Sequence, residues 1–577
     1  RDPRTFPLSP TNSATEPKLR GRLLRDVRWD FVIRLGEHGF DSPQAAGAFT
    51  ALVGLTCYRH DDGFALAGLD AADEDTPAEK ADVLHGGQVV LLSQEAQLAN
   101  PDFILVIGQD LGGKKRLRDY ADVFQGVSTT DMPRFVQFSW EQSLVGPAWE
   151  FFQMAPTADG IDGFRGILHW DQGRGELAQI GTARKGIQAQ GRIGVAAAVT
   201  RDLHVTQFYG HRFDGTLAVV VPKRTEFLAP IAACFFSDNF RQLVREVDQA
   251  LSVTESSFGK IRFDLAHWQR VAAEKYPNGL PEPDSNDPTQ WLFNGRLADS
   301  TAPLQVGVAR MLGYRWPRQT GQTVSGAPPV PEDGLEQFVD EDGIVCIPSV
   351  RGEAPAAERL RALLAAAYLP AEGSAQAGGK AWSPGKLDEL LSAVDYAGSN
   401  LEDWLRNGFF EQHCKLFHHR PFIWQIWDGR KDGFSALVNY HKLDHKLLEK
   451  LTYTYLGDWI KKQQEAVARE ESGADDRLLK AQQLQDKLKL ILEGEAPYDI
   501  FVRWKPLEQQ PIGWHPDLND GVRLNIRPFM EADVLRKRPN IKWGVDRGKN
   551  PPGSPWGEKR DNDRHLTLAE KREARGK

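Results

Sequence analysis

The sequence is poor in cysteine and in long apolar runs, and each shortage excludes a class of protein. Its 577 residues include four scattered cysteines, Cys57, Cys234, Cys346 and Cys414. Such spacing indicates no disulfide framework, so we expect a reducing, cytoplasmic environment. Apolar runs such as 103–107 and 217–221 are far shorter than the roughly 20 residues of a membrane-spanning helix, so no membrane association is expected.

The motifs of most self-contained catalytic sites are also absent. The chain contains no G-x-G-x-x-G, no G-x-x-x-x-G-K-[ST], no H-E-x-x-H, no paired C-x-x-C and no G-x-S-x-G. Gly173-Arg-Gly175 is a lone G-x-G that no apolar helix follows. The sequence therefore predicts no catalytic residue and no cofactor-binding residue within this chain.

The overall charge does not favour nucleic acid, because 71 Lys and Arg stand against 79 Asp and Glu, a net charge of −8. Any basic surface must be local. At roughly 150 residues per domain, the length predicts several domains. From composition shifts we predict an α/β part over 1–100, a β-rich part over 101–265, a connector over 266–333, a helical domain over 334–500 and a basic extension over 501–577.

Hydrophobic spacing distinguishes the β-rich part from the helical part. Short β-like runs separated by glycine occur at 103–107, 194–199, 205–209 and 217–221. In the later part Leu447, Leu451, Tyr455 and Trp459 recur every four residues, and 484–491 repeats the pattern. We predict a long helical hairpin over 440–493, turning near Ser472-Gly473. It could also serve as a protein–protein surface.

One cluster suggests metal chemistry. Residues 411–419 read Glu-Gln-His-Cys-Lys-Leu-Phe-His-His, and on a helix Cys414 and His418 would share a face. Such a pair suits a soft N/S metal site, and His413 and His419 stand beside it. Zinc takes four ligands, however, and the others are not obvious. The alternative is packed histidines beside the apolar run 420–427, and no metal is predicted.

Three local basic stretches suit phosphate groups, which Lys and Arg bind without reading sequence. The first is the glycine-flanked loop 112–118, the second comprises 183–186 with Arg192, and the third is the tail from Arg536 to Lys577, with 13 Lys or Arg against 6 Asp or Glu. For each the alternative is a solvated loop or tail. The predicted phosphate-contacting residues of the first two stretches are Lys114, Lys115, Arg116, Arg118, Arg184, Lys185 and Arg192.

Between the two loops lies Gly126-Val-Ser-Thr-Thr-Asp-Met-Pro-Arg-Phe135. Its hydroxyl residues suit hydrogen bonds to backbone or phosphate, and Arg134 could pair with Asp131 or reach DNA. The segment could equally be a capped turn, with Thr130 or Asp131 preceding a short helix.

The segment 126–135, followed by Trp140-Glu141, resembles the start of the target-recognition region of large adenine-specific DNA methyltransferases. These are the Eco57I-like group, which includes the methylases of the BREX (phage growth limitation) and DISARM defence systems. Other segments resemble the same group, namely 19–24 with 31–40, Ser257 to Phe263, Lys275 to Pro283, 409–432 and 524–543.

The resemblance implies a fold and an activity for the complete enzyme. The expected fold class is α/β and α+β multidomain: the end of a Rossmann-like methyltransferase sheet, a β-rich target-recognition domain and a helical C-terminal extension. The implied reaction transfers a methyl group from S-adenosylmethionine to adenine N6. The cofactor loop and the N-P-P-[YFW] loop have no match here, since Asn550-Pro-Pro-Gly553 lacks the aromatic. We therefore expect this chain to be the C-terminal part, with the cofactor bound by a preceding part.

The leading hypothesis is thus the DNA-recognition part of an adenine methyltransferase, with double-stranded DNA as its partner and base contacts from loops within 160–215. The matched segments add Arg134 and Lys260 to the predicted DNA-binding residues. One alternative is a non-catalytic subunit whose helical hairpin docks other subunits of a phage-defence complex. Another is a metal-dependent nuclease built on the 413–419 cluster.

Overall fold

The computed structural model describes residues 16–40, 50–58, 63–72, 74–100, 103–107, 115–200, 202–248, 250–322, 327, 330, 332–368, 382–541 and 565–576. The architecture is mixed α/β and multidomain, with several small sheets and a helical C-terminal region. The predicted fold class is confirmed. The chain forms two compact units, the first from 1–127, 154–162 and 185–281, the second from 128–153, 163–184 and 282–577. The five-part division of the sequence stays a prediction.

The strands of the described residues are short, and most belong to antiparallel pairs. They are β1 (Arg28–Gly36), β2 (Thr50–Thr56), β3 (Ala65–Asp70), β4 (Val90–Ser93), β5 (Ala121–Gln125), β6 (Val136–Phe138), β7 (Trp149–Gln153), β8 (Gly166–His169), β9 (Gly194–Ala198), β10 (Val205–Phe208), β11 (Arg212–Phe213), β12 (Leu217–Pro222), β13 (Ile344–Cys346), β14 (Ile423–Trp427) and β15 (Ser435–Asn439).

The α-helices of the described residues are concentrated after residue 227. They are α1 (Glu16–Asp26), α2 (Pro77–Gly86), α3 (Gln94–Gln97), α4 (Met132–Phe135), α5 (Leu228–Phe235), α6 (Phe240–Arg245), α7 (Glu255–Lys260), α8 (Leu265–Lys275), α9 (Pro303–Met311), α10 (Ala356–Ala367), α11 (Pro384–Ser392), α12 (Leu401–Asn407), α13 (Phe409–Leu416), α14 (His445–Lys450), α15 (Leu456–Ala468), α16 (Ala474–Glu493), α17 (Gly521–Asn525), α18 (Arg527–Glu531) and α19 (Leu568–Ala574).

The first unit contains two four-stranded sheets. One has the order β2-β1-β3-β4, with β1 and β3 parallel, and Leu24 of α1 packs against it beside Trp29 and Leu66. The other has the order β10-β9-β12-β5 and pairs antiparallel. Val195 and Val220 face a core formed with α5, α7 and α8, whereas Ala196 and other alternate residues pack on the opposite face. Burial of both faces explains why these strands read as continuous apolar runs.

The second unit is larger and mainly helical. Its strands form the antiparallel arrays β7-β8-β6 and β13-β15-β14. Helices α9, α10, α12 and α13 contribute to one large core with the second array. The predicted hairpin is confirmed, because α15 and α16 pack together and Gly473 turns the chain with a φ of 75°. One π-helical turn, Leu451–Tyr455, joins α14 to α15.

The last described residues are packed against the second unit. Lys571 of α19 is fully buried, with Nζ 3.2 Å from Oδ2 of Asp499, and the guanidinium of Arg575 donates to the Glu508 carbonyl oxygen. These two cations of the predicted basic tail therefore make internal contacts. Residues 542–564 of that tail lie outside the described residues. In the part of the chain that the structure describes, no helix is both long and apolar enough to cross a bilayer.

Candidate nucleic-acid interface

Backbone pairing in the first unit joins the basic loop to the segment that carries Lys260. The Leu117 amide donates to the Ile261 carbonyl at 3.2 Å, and the Phe263 amide donates to the Lys115 carbonyl at 3.1 Å. This pairing turns Leu117 inward and leaves Lys115 and Arg118 exposed. Two of the predicted phosphate-contacting cations thus face solvent beside α7, where Lys260 is half-buried.

Arg116 occupies a different environment. Its side chain is buried, and its Nη1 donates to the Lys260 carbonyl at 3.3 Å. Its backbone amide donates to Oδ2 of Asp119 at 2.9 Å, which starts the short turn that follows. Arg116 therefore stabilises the pairing of the two segments. Arg118, two residues later, is exposed instead. Lys114 lies outside the described residues.

A second group of cations gathers at the end of the sheet where β5 begins and β12 ends. Lys223 Nζ donates to the Arg118 carbonyl at 2.6 Å. Arg192 Nη2 donates to the Pro222 carbonyl at 3.3 Å and lies 3.8 Å from Oδ2 of Asp122. The antiparallel register explains this convergence, because the starts of β5 and β9 lie beside the end of β12. Arg118, Arg192 and Lys223 thus share one edge.

The sequence interpretation missed Lys223 and its neighbour Arg224. Both are exposed, and Arg224 Nη2 lies 3.2 Å from the Glu226 carboxylate. They directly follow the apolar run 217–221, so they stand at the point where a predicted strand leaves the core. A basic pair at a strand end was the signal that could have found them.

Lys115 also lines a groove of about 720 Å³ in the first unit. Its Nζ lies 5.6 Å from the centre of the Tyr120 ring, and Trp268 and Arg262 form part of the wall. The Arg262 guanidinium is held by Glu246 at 2.6 Å. The groove therefore offers one exposed ammonium group next to aromatic walls.

The second predicted basic stretch is divided. Lys185 is exposed, and its Nζ donates to Oε1 of Gln125, the last residue of β5. Arg192 instead contacts Asp122 near the start of that strand, so the two cations do not share an edge. Arg184 is exposed in the second unit, and its Nε donates to the Ala178 carbonyl at 3.1 Å. DNA contact by these residues stays a prediction.

In the second unit, α4 starts directly after Asp131, so the predicted short helix is confirmed. The Asp131 side chain does not cap it and instead accepts from Arg503 Nη2 at 2.6 Å. Arg134 does not pair with Asp131. Its guanidinium makes a two-pronged contact with the Glu176 carboxylate, in which Nη1 lies 3.1 Å from Oε1. Its contact with DNA stays a prediction.

The histidine and cysteine cluster does not have the predicted geometry. Helix α13 ends at Leu416, and His418 and His419 have left-handed backbones with φ of 49° and 56°, so Cys414 and His418 do not share a helical face. His413 is buried, with Nδ1 3.0 Å from Oε1 of Gln305 and with Nε2 accepting from the Ile423 amide.

Burial lowers the pKa of His413 from 6.5 to about 3 and raises that of the Cys414 thiol. Within the described ranges, no group of three or more His, Cys, Asp or Glu is placed to hold a metal ion. The alternative of a metal-dependent nuclease depended on a metal site at the 413–419 cluster, and the geometry of that cluster does not support one.

Comparison with known proteins gives one partial match. No family model matches the chain. Over 139 residues the chain is 27% identical to the adenine-specific methyltransferase BrxX of Escherichia coli O9:H4 (strain HS). The chain is distantly similar to an adenine-specific methyltransferase. The match spans 23% of this chain and 11% of that protein, so it concerns a small part of a much longer polypeptide.

Proposed function

We propose that this chain is the DNA-recognition part of an adenine-N6 DNA methyltransferase of the BREX type, acting in bacterial phage defence. Two findings support the proposal. The first is the distant similarity to BrxX. The second, on which the proposal mainly rests, is the convergence of Arg118, Arg192 and Lys223 at one sheet edge, although Arg118 and Lys223 are 105 residues apart in the chain.

The chemistry of this edge, which we call the basic edge (Arg118, Arg192, Lys223 and Arg224), suits a phosphate backbone. Among the described residues, neither Arg118 nor Lys223 has a carboxylate within ion-pair distance. Arg192 and Arg224 have carboxylate neighbours, but those ion pairs are exposed, and exposed pairs contribute about 0–1 kcal/mol. A phosphate oxygen can therefore replace these carboxylates at little cost, and release of DNA counterions would add to the binding.

The start of α2 does not fit the methyl donor. In the first sheet, the connection 71–76 from β3 to α2 contains no glycine. At the start of α2, Thr76 and Glu79 form a reciprocal cap that occupies the Thr76 and Glu79 amides. Two backbone donors at the start of this helix are thus already used. We assign no step through S-adenosylmethionine to these residues, and in our proposal other parts of a complete methyltransferase bind it.

The test is duplex binding as a function of salt. The unaltered chain should bind a labelled 30-base-pair duplex, with the logarithm of its affinity falling linearly with the logarithm of salt concentration. Replacing Arg118, Arg192 and Lys223 together by alanine should weaken binding to every sequence. It should also flatten the slope by about 0.9 for each phosphate that the variant no longer neutralises. Double-stranded DNA without any target motif suffices as the probe.

A matched control removes the same charge elsewhere. Lys446, Lys461 and Lys480 are exposed cations of the second unit, and their joint replacement by alanine should leave the slope unchanged. If both triple variants weaken duplex binding equally, the effect comes from the loss of overall positive charge. That result would contradict the assignment to the basic edge. Weak duplex binding by the unaltered chain, with tight binding to another defence subunit, would favour the partner-binding alternative.

A further inference from the structure

The turn after β8, residues Asp171 to Gly175, has an unusual backbone. Asp171, Gln172 and Gly173 follow one another with φ of 49°, 54° and 77°. The left-handed region is easy for glycine and tolerated by aspartate, but it is unfavourable for glutamine. Such backbone outliers are concentrated at functional sites, so the turn needs an explanation beyond chain reversal.

The turn is held rigidly. The Trp170 and Asp171 amides both donate to the Ala148 carbonyl, at 3.0 and 2.8 Å, and the Arg174 amide donates to the Asp171 carbonyl at 2.9 Å. A methyl group on Gly175 would lie 2.9 Å from Cβ of Asp171, so a larger residue does not fit there. Hydrogen bonds and packing within the protein therefore hold this conformation.

This rigid turn presents two exposed side chains, those of Gln172 and Arg174. Arg174 Nη2 donates to Oε1 of Gln172 at 2.7 Å, so each side chain orients the other. In the described part of the chain, this is the one hydrogen bond of the Gln172 side chain. Packing therefore does not explain why a glutamine occupies a left-handed position.

The chemistry of the pair matches base edges better than phosphate. A primary amide pairs with N6 and N7 of adenine, and a guanidinium pairs with O6 and N7 of guanine, both in the major groove. Phosphate binding favours accumulated positive charge. Here Arg134 is already paired with Glu176, and Asp171 belongs to the same turn as Arg174, so the surroundings carry little net charge.

We propose that Gln172 and Arg174 are base-reading residues, with the Gln172 amide directed to an adenine and the Arg174 guanidinium to a neighbouring guanine. The inference rests on the proposed function. It adds the two residues that would give DNA binding its sequence preference.

Selection from a random duplex pool tests this directly. The unaltered full chain should enrich a short motif that contains adenine and guanine. Gln172→Ala should relax the preference at one adenine, and Arg174→Ala at one guanine, each by about 5- to 150-fold in discrimination against other bases. Affinity for duplex without the motif should change by less than about twofold, because phosphate contacts remain.

Two further variants separate base reading from other roles. Arg174→Lys keeps the charge but removes the planar two-pronged donor, so it should lose most of the guanine preference and keep its affinity for duplex without the motif. Gln179→Ala removes an exposed glutamine of the next turn and should leave the motif unchanged. An Arg174→Ala variant that weakens all sequences equally, with Arg174→Lys restoring them, would identify a phosphate contact and overturn the inference.

The unaltered chain distinguishes the two levels of failure. If it binds duplex but enriches no motif, or if both alanine variants enrich the same motif as the unaltered chain, base reading by these residues is refuted while DNA binding stands. If it retains no duplex at all, the proposed function fails and this inference fails with it.

Discussion

The guanidinium of Arg503 lies 2.6 Å from the carboxylate of Asp131, a residue 372 positions earlier in the chain. The side chains are 3% and 13% exposed, so the ion pair is almost entirely removed from water. It fastens the start of α4 to the segment after α16. Asp131, which lies in the segment 126–135, therefore has a structural partner that no local sequence pattern could indicate.

Breaking this pair should destabilise the second unit. Arg503→Met leaves the Asp131 carboxylate buried without its cation, which should lower the free energy of unfolding by about 3–5 kcal/mol. Arg296→Ala serves as the comparison, since Arg296 and its partner Asp299 are 62% and 55% exposed and exposed pairs contribute about 0–1 kcal/mol. Denaturant titration measures both. Adding Asp131→Asn to Arg503→Met should recover part of the stability, and equal destabilisation by the two single substitutions would contradict the pairing.

Arg116 and Arg118 should respond oppositely to substitution. Arg116→Ala removes a buried hydrogen bond to the Lys260 carbonyl and should cost about 1–3 kcal/mol of stability, without changing the salt dependence of duplex binding. Arg118→Ala should leave stability within about 0.5 kcal/mol and flatten the salt slope by about 0.9. Thermal unfolding and salt titration of the two variants check this contrast. A flattened slope in the Arg116 variant would show that its side chain reaches DNA.

Stability should fall on mild acidification, partly because of His413. Burial lowers its pKa from 6.5 to about 3, so between these values the unfolded chain binds a proton that the folded chain does not. Stability therefore decreases as the pH falls below 6.5, by about 2 kcal/mol from pH 7 to pH 5 for this residue. His413→Gln should be less stable at pH 7 but lose about 2 kcal/mol less over that interval. An unchanged pH dependence of unfolding would contradict a neutral, buried imidazole.

Changing Gly173 should disturb the turn 171–175 without abolishing DNA binding. Gly173→Ala places a side chain at a φ of 77°, which should cost about 1–2 kcal/mol of stability and tilt Gln172 and Arg174 together. We expect duplex selection to return a weaker motif at both base positions. Gly181→Ala is the control, because a methyl group there meets nothing within 4 Å. An unaltered motif in the Gly173 variant would show that the turn conformation does not matter for recognition.

Local patterns predicted several elements correctly. The hairpin α15–α16 with its turn at Gly473, the strands β9, β10 and β12, and the short helix α4 all follow from spacing and turn residues. The β-like run 103–107 failed for a physical reason. Its backbone is satisfied by side-chain amides, since Asn100 donates to the Ile104 carbonyl and Gln97 accepts from the Val106 amide. Apolar content predicted burial there, but among the described residues no neighbouring strand pairs with it.

The candidate site was predicted in part. The loop 115–118 is basic and two of its cations are exposed, but Arg116 is buried because pairing with 261–263 sets which residues face inward. That pairing partner is distant in sequence, so inspection of the loop alone could not distinguish Arg116 from Arg118. The contribution of Lys223 to the basic edge depends in the same way on sheet register.

The two units alternate along the sequence, and this limits which truncations of the gene are informative. Each unit is assembled from three separate stretches, and the stretches of one alternate with those of the other. A single truncation after residue 127, 184 or 281 therefore leaves at least one unit incomplete. Deletion mapping, in which successively shorter fragments are assayed, would report the collapse of a split unit instead of the removal of a binding surface. Point substitutions, or rearranged genes that join the three stretches of one unit through linkers, are the means by which each unit can be studied alone.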